Sequence, residues 1–221
     1  MLLRRLILPF FQEEPRRNKK ESSLEIEYPI LTPHGIPKEY RPFCCFIGTK
    51  TKTGTWMGSG TLVETQGIVG ILTAYHLIEH AKEEINIAFY LKDGDWTMFS
   101  VPRNYVVVEE PKLDIALIAA PYLPDDCHPI EIGWDKSRIM GLPLTAFGCP
   151  NGAFGFVWKP KLITICGGII YTKGIAIPGV SGGGIFSRHK NKFYLWGVHI
   201  AIHLASYTLL SRTVKLELHN K

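Results

Sequence analysis

No pair of cysteines here stands at metal-ligand spacing, no apolar run is long enough to cross a bilayer, and neither sign of charge dominates. The five cysteines are Cys44, Cys45, Cys127, Cys149 and Cys166. Their number is odd, two are adjacent, and no CxxC or Cys/His run accompanies them, so a zinc site is not expected. They read as reduced thiols in a reducing compartment, which places the protein in the cytoplasm. The formal net charge is only +5. The basic residues gather in Arg16-Arg17-Asn18-Lys19-Lys20, which reads as a solvated arm rather than a nucleic-acid or lipid surface. The opening segment, Met1 to Phe11, carries Arg4 and Arg5 inside its apolar run, has Pro9 near its end and lacks a small-residue cleavage site. It therefore fits neither a signal peptide nor a membrane span. No internal repeat, low-complexity tract or cofactor motif is visible.

What the chain does have is turns. With 21 Gly and 15 Pro among 221 residues, short β-prone runs alternate with turn signals, the pattern of an all-β protein. Residues 1–23 read as an arm and 24–221 as the body. A Pro- and Asp-rich connection from Pro121 to Pro129 divides the body into lobes of about 24–120 and 130–221. Strands are expected at Tyr40–Gly48, Thr55–Val63, Ile68–Thr73, Ile85–Leu91, Thr97–Val101, Tyr105–Val108 and Ile115–Ala119, with His76 at the head of a short helical turn, Leu77–Lys82. The second lobe offers Leu144–Gly148, Phe154–Lys159, Lys161–Ile165, Gly168–Tyr171, Gly183–Ser187 and Phe193–Ile202. The tail, Tyr207 to Leu218, has near-helical apolar spacing and reads as a closing helix.

Three segments carry chemistry. Pro178-Gly179-Val180-Ser181-Gly182-Gly183 sets a serine among glycines, which permit a tight turn with unusual backbone angles. Such a turn can aim the N–H groups of Gly179 and Ser181 at one point, as an oxyanion hole. A serine hydroxyl needs a base to become a nucleophile, and Ile71-Leu72-Thr73-Ala74-Tyr75-His76 supplies an imidazole at the end of an apolar strand. Leu113-Asp114-Ile115-Ala116-Leu117 puts a carboxylate at the mouth of a buried strand, where it needs a hydrogen-bond partner such as a histidine N–H. Gly179, Ser181 and Gly183 also satisfy the G-x-S-x-G elbow of α/β-hydrolases, but those run Ser, acid, His along the chain and alternate strands with helices.

TAYH, LDIAL and PGVSGG together resemble the TAxH, DIAL and G-x-S-G-G segments of trypsin-like serine proteases. The resemblance is closest to the Deg-type, glutamyl-endopeptidase-like and viral 3C-like branches that lack disulfides, and it covers roughly Tyr40 to Leu210. It implies an all-β chymotrypsin-like fold of two antiparallel six-stranded β-barrels. It also implies a serine endopeptidase with a protein or peptide substrate and no cofactor, in which His76 is general base, Asp114 orients it and Ser181 is the nucleophile. Leu77 follows the histidine, so a disulfide there is ruled out. There is no Arg/Lys-Ile-Val-Gly-Gly activation site, Gly184 stands where proline is common, and no room for a PDZ-like domain is expected after Ser181. The oligomeric state is open, a monomer being sufficient. A catalytically silent binding protein of the same fold and an α/β-hydrolase-type esterase are the competing readings.

The same resemblance places a substrate pocket at Ile175 and Ala176 on one side and at Val198, His199 and Ile200 on the other. The absence of an acid at Ile175 argues against a basic P1 residue. G-V-H-I resembles the G-x-H segment in which a histidine hydrogen-bonds a P1 Glu or Gln. Ala176 stands where those families carry a hydroxyl, so a small or medium apolar P1 remains the alternative.

Overall fold

In a computed structural model, the described residues are 36–203 and 208–213, apart from 53, 92, 134–138, 151–154 and 174–176. The arm, Ile175, Ala176 and the end of the tail lie outside them. The first half of the body holds β1 (Cys44–Thr51), β2 (Gly54–Thr65), β3 (Ile68–Thr73), β4 (Glu84–Tyr90), β5 (Trp96–Pro102), β6 (Val106–Glu110) and β7 (Ile115–Ala119). A short β8 (Ile130–Ile132) follows. The second half holds β9 (Leu144–Gly148), β10 (Phe156–Trp158), β11 (Lys161–Cys166), β12 (Ile169–Lys173), β13 (Gly184–His189), β14 (Lys192–His203) and β15 (Thr208–Thr213). The described residues include two single 3-10 turns, Tyr75–Leu77 and Arg103–Tyr105, and no α-helix is present among them. No described helix is long and apolar enough to cross a membrane.

The described residues form an all-β architecture. Hydrogen bonds link the first half in the order β5-β4-β1-β2-β3-β7-β6 and the second in the order β10-β9-β13-β14-β15-β12-β11. Among the described residues no pairing closes either path. Their ends are nonetheless joined by the chain itself: β5 and β6 are separated only by the turn Arg103–Tyr105, and β10 and β11 only by Lys159 and Pro160. Each half is thus six chain segments, one of which bends across a corner and pairs with a different neighbour on each side of the bend. Proline and a tight turn are suited to those corners because neither continues a ladder.

Alternation explains the core. Ile85, Ile87 and Phe89 of β4 point inward and are wholly buried, while Glu84 is exposed and Asn86 and Tyr90 are partly exposed; the small Ala88 is also buried. β7 departs from alternation, with Ile115 to Ile118 all buried, as a strand covered on both faces must be.

Two expectations change. The tail is not a closing helix where it is described: β15 is a strand, paired antiparallel with both β14 and β12. Without it those two strands would each keep an unpaired edge, and that pairing outweighs the local apolar spacing. The helical turn expected at Leu77–Lys82 is the shorter, earlier 3-10 turn, with His76 at its centre. β8, which has no counterpart among the expected strands, runs parallel to both β2 and β14 and joins the halves.

Candidate active site

His76 is held where β3 ends. Asp114 Oδ2 meets its ring Nδ1 at 2.7 Å, and Oδ1 accepts the His76 backbone N–H at 2.8 Å. The Asp114 carbonyl accepts the N–H of Tyr75 as well. Asp114 leaves the turn Pro111 to Leu113 with φ +54, a left-handed conformation that costs a non-glycine residue about 1–2 kcal/mol. The three bonds to residues 75 and 76 offset that cost and bring the carboxylate to the ring.

Ser181 sits in a turn pressed against the same strand end. A side chain at Gly182 would lie 2.1 Å from the Ser59 carbonyl oxygen, 2.3 Å from Thr73 Oγ1 and 3.1 Å from the Ala74 nitrogen. The turn therefore lies against the Thr73 side chain and the Ala74 backbone, three and two residues before His76. Gly58 receives it from the other side, where a Cβ would meet Leu77 Cδ1 at 2.3 Å and the Ser181 carbonyl oxygen at 2.9 Å. These contacts explain the glycines on both partners: only bare backbone allows so close an approach. Gly184 is crowded by Leu195 Cδ1 and Thr61 Oγ1, which accounts for a glycine in place of proline.

The amides of the turn divide cleanly. Val180 N–H donates to the Ile177 carbonyl, Gly182 N–H to that of His199 and Gly183 N–H to that of Val180. The N–H groups of Gly179 and Ser181 have no acceptor among the described residues. Gly179 has φ +95, and Val180 is buried against Gly148. Two unused donors flanking a serine are what an oxyanion hole requires.

Of the pocket residues, Val198 is buried in the core with Phe186 and Leu195, and Ile200 is half-buried. His199 is wholly buried. Its Nδ1 lies 2.8 Å from Ser211 Oγ, its ring stacks on Trp158 at 5.6 Å, and its backbone bonds Gly182 and Gly183. Burial pushes its pKa down to about 3, with the Phe147 backbone opposing the shift. The register passes from His199↔Ser211 to Ala201↔Leu210, leaving Ile200 unopposed as a bulge. The bulge separates buried His199 from exposed Ala201, which period-two reading puts on one face. Ser211 and Trp158 carry no motif signal. Their part comes only from strand pairing, as does that of Ser59, whose hydroxyl reaches Gly179.

Among the described residues no group of acids, histidines and cysteines is arranged to hold a metal ion. None of the five cysteines is in a disulfide, and Cys166 alone is exposed.

No family model and no curated protein matches the chain. Solved structures do. A serine endoprotease from Yersinia pestis matches at TM-score 0.58 and 17% identity, over 80% of this chain and 60% of that one. A protease from M. tuberculosis in its active form matches at TM-score 0.62 and 15% identity, over 91% and 89%. A human pathogenic astrovirus serine protease matches at TM-score 0.55 and 18% identity, over 85% and 98%. The chain thus spans less than two thirds of the Yersinia protein and nearly all of the viral one. At such identities the likeness is one of architecture: this chain has the chymotrypsin-like fold of the trypsin-like serine proteases.

Proposed function

We propose that the chain is a serine endopeptidase working through His76, Asp114 and Ser181. The carrying observation is that a histidine anchored at two atoms by Asp114 stands at the strand end against which a Gly-flanked serine with two unused amides is packed. Ser181 Oγ attacks the scissile carbonyl as His76 takes its proton, and the new C–O bond leaves negative charge on the carbonyl oxygen. The Gly179 and Ser181 N–H groups receive that charge. His76 then returns the proton to the leaving amine, giving an acyl-enzyme that water cleaves by the same route. The predominantly antiparallel all-β architecture does not suit the esterase alternative. The unengaged amides favour an active enzyme over a silent binding protein.

For the P1 residue we propose a side chain ending in a carbonyl oxygen, with Gln ahead of Glu. His199 Nε2 and Trp158 Nε1 are both buried without a well-formed hydrogen bond, the Phe147 backbone lying near the histidine ring, and they belong to one stacked pair of rings. Such groups cost about 1–3 kcal/mol each when unsatisfied. If the Ser211 hydroxyl donates to Nδ1, the single proton of the neutral ring lies on Nε2 and makes it a donor. An uncharged amide is cheaper to bury beside a neutral ring than a carboxylate.

The test is a fluorophosphonate probe followed by a peptide library. Wild type should label, and Ser181→Ala should not. Failure of the folded wild type to label would refute the endopeptidase reading. Cleavage after Gln that His199→Ala abolishes would support the pocket assignment, and cleavage after apolar residues in both proteins would overturn it.

A further inference from the structure

The two residues whose amides are unused, Gly179 and Ser181, also have their carbonyls held, and both by one residue. Ser59 is wholly buried on β2. Its hydroxyl donates to the Gly179 carbonyl at 2.8 Å, and its backbone N–H donates to the Ser181 carbonyl at 2.8 Å. The same hydroxyl accepts the Cys149 N–H at 2.7 Å, and the Ser59 carbonyl accepts Thr73 Oγ1 at 2.8 Å. Every polar atom of Ser59 is therefore engaged, and two of its bonds end on the serine turn from the other half of the body.

We propose that Ser59 is a positioning residue for the oxyanion hole, a template whose two donors fix the carbonyls of Gly179 and Ser181 so that their N–H groups stay aimed at the substrate. The inference rests on the endopeptidase reading above. The peptide planes show how it works. The unit joining Gly179 to Val180 is pinned at its oxygen by Ser59 and at its N–H by the Ile177 carbonyl. The unit joining Ser181 to Gly182 is pinned at its oxygen by Ser59 and at its N–H by the His199 carbonyl. The unit between them has its oxygen held by Gly183 N–H, and its own N–H is that of Ser181. With three successive planes fixed, the remaining freedom is rotation about Gly179, a residue with no side chain to restrict it and φ +95. The Gly179 N–H lies in the preceding Pro178–Gly179 unit, so its aim is set relative to the plane that the Ser59 hydroxyl anchors at the Gly179 carbonyl. The Thr73 bond completes the path, because Thr73 stands three residues before His76 on the strand that delivers the base. Ser59 thus ties the donors for the developing charge to the element that carries the proton acceptor. Preorganised donors are effective because they need not reorient during reaction.

The experiment compares wild type, Ser59→Ala and Ser59→Thr. Each is checked by thermal melting, then measured for kcat and KM on a cleaved peptide and for affinity to a peptide aldehyde, whose hemiacetal oxygen mimics the oxyanion. Ser59→Ala should lower kcat about 10- to 100-fold, below the 10²–10³ lost on deleting a donor outright. KM should change less than twofold, and aldehyde affinity should fall by the same factor as kcat/KM. Ser59→Thr, which keeps the hydroxyl, should recover most of the loss. If Ser59→Ala does not fold, the same comparison is made on Ser59→Cys, whose weaker donor should give a smaller loss of the same kind. Unchanged kcat in a folded variant, a loss confined to KM, or a threonine variant no better than alanine would overturn the proposal. Wild type that neither cleaves nor labels would instead sink the endopeptidase reading, so the two failures are distinguishable.

Discussion

Asp114 grips His76 at two places, the ring through Oδ2 and the backbone N–H through Oδ1. Both bonds need an acceptor oxygen if Nδ1 carries the proton. Asp114→Asn must turn its NH₂ toward one of them, which either unseats the turn or forces the ring into the other tautomer. We expect kcat to fall about 10³- to 10⁴-fold with the melting temperature little changed. Steady-state kinetics on the peptide identified by library screening provide the check.

Gly182 packs the serine turn against Ser59 of β2 and Thr73 of β3. Gly182→Ala combines a left-handed backbone, φ +82, with a Cβ 2.1 Å from the Ser59 carbonyl oxygen. A loss of about 2–5 kcal/mol in stability is expected, from strain and overpacking together. Gly67→Ala is the control: φ is +77, but nothing lies within 4 Å, so only the backbone cost of about 1–2 kcal/mol applies. Urea denaturation of the two variants separates the contributions.

His199 makes stability depend on pH. Its folded pKa is pushed down to about 3 from 6.5 by burial. Between those values the unfolded chain binds a proton that the folded chain refuses. The stabilisation is therefore complete above pH 6.5 and is lost progressively as pH falls toward 3, at up to about 1.4 kcal/mol per pH unit. Urea midpoints from pH 6.5 to 5 should decline more steeply in wild type than in His199→Gln, which cannot ionise. Equal slopes would show that the ring is protonated in place.

The thiols should divide four to one. Cys44, Cys45, Cys127 and Cys149 are buried and Cys166 is exposed. Burial raises the thiol pKa of Cys44 and Cys45, with their cysteine neighbours adding to it. It lifts Cys149 to about 12, against the Ser59 hydrogen bond. Reactivity follows the thiolate and its access, so iodoacetamide at pH 8 should modify Cys166 alone in the native protein and all five after unfolding. Peptide mass mapping of both samples decides the matter.

The sequence was most legible where a residue's role is local. The bounds of β3, β7 and β9 follow directly from apolar runs and turn residues, and the residues around His76, Asp114 and Ser181 announce themselves by type and neighbour. It was least legible where a role depends on a distant partner. Ser59 bonds Gly179 across 120 positions, and an isolated serine in a strand has no periodicity to betray it. β8 is a three-residue Ile-Glu-Ile segment whose existence depends on strands from both halves. The tail misled because Leu209 and Leu210 fit a helix locally, whereas the vacant edges of β12 and β14 are visible only once the sheet is assembled. The bulge at Ile200 shifted the facing of every residue beyond it, which no alternation rule anticipates.

The three residues of β8 have a consequence for how the molecule comes apart. Ile130 pairs with Val63, Ile132 with Leu195, and Glu131 with partners on both sides, while Gly133 N–H adds a bond to the Leu195 carbonyl at 2.7 Å. One backbone ladder thus runs from the first half into the second. Neither half can melt without exposing donors and acceptors in the other. Unfolding should therefore proceed as one cooperative event, with equal calorimetric and van't Hoff enthalpies, and each half expressed alone should expose a raw sheet edge and aggregate.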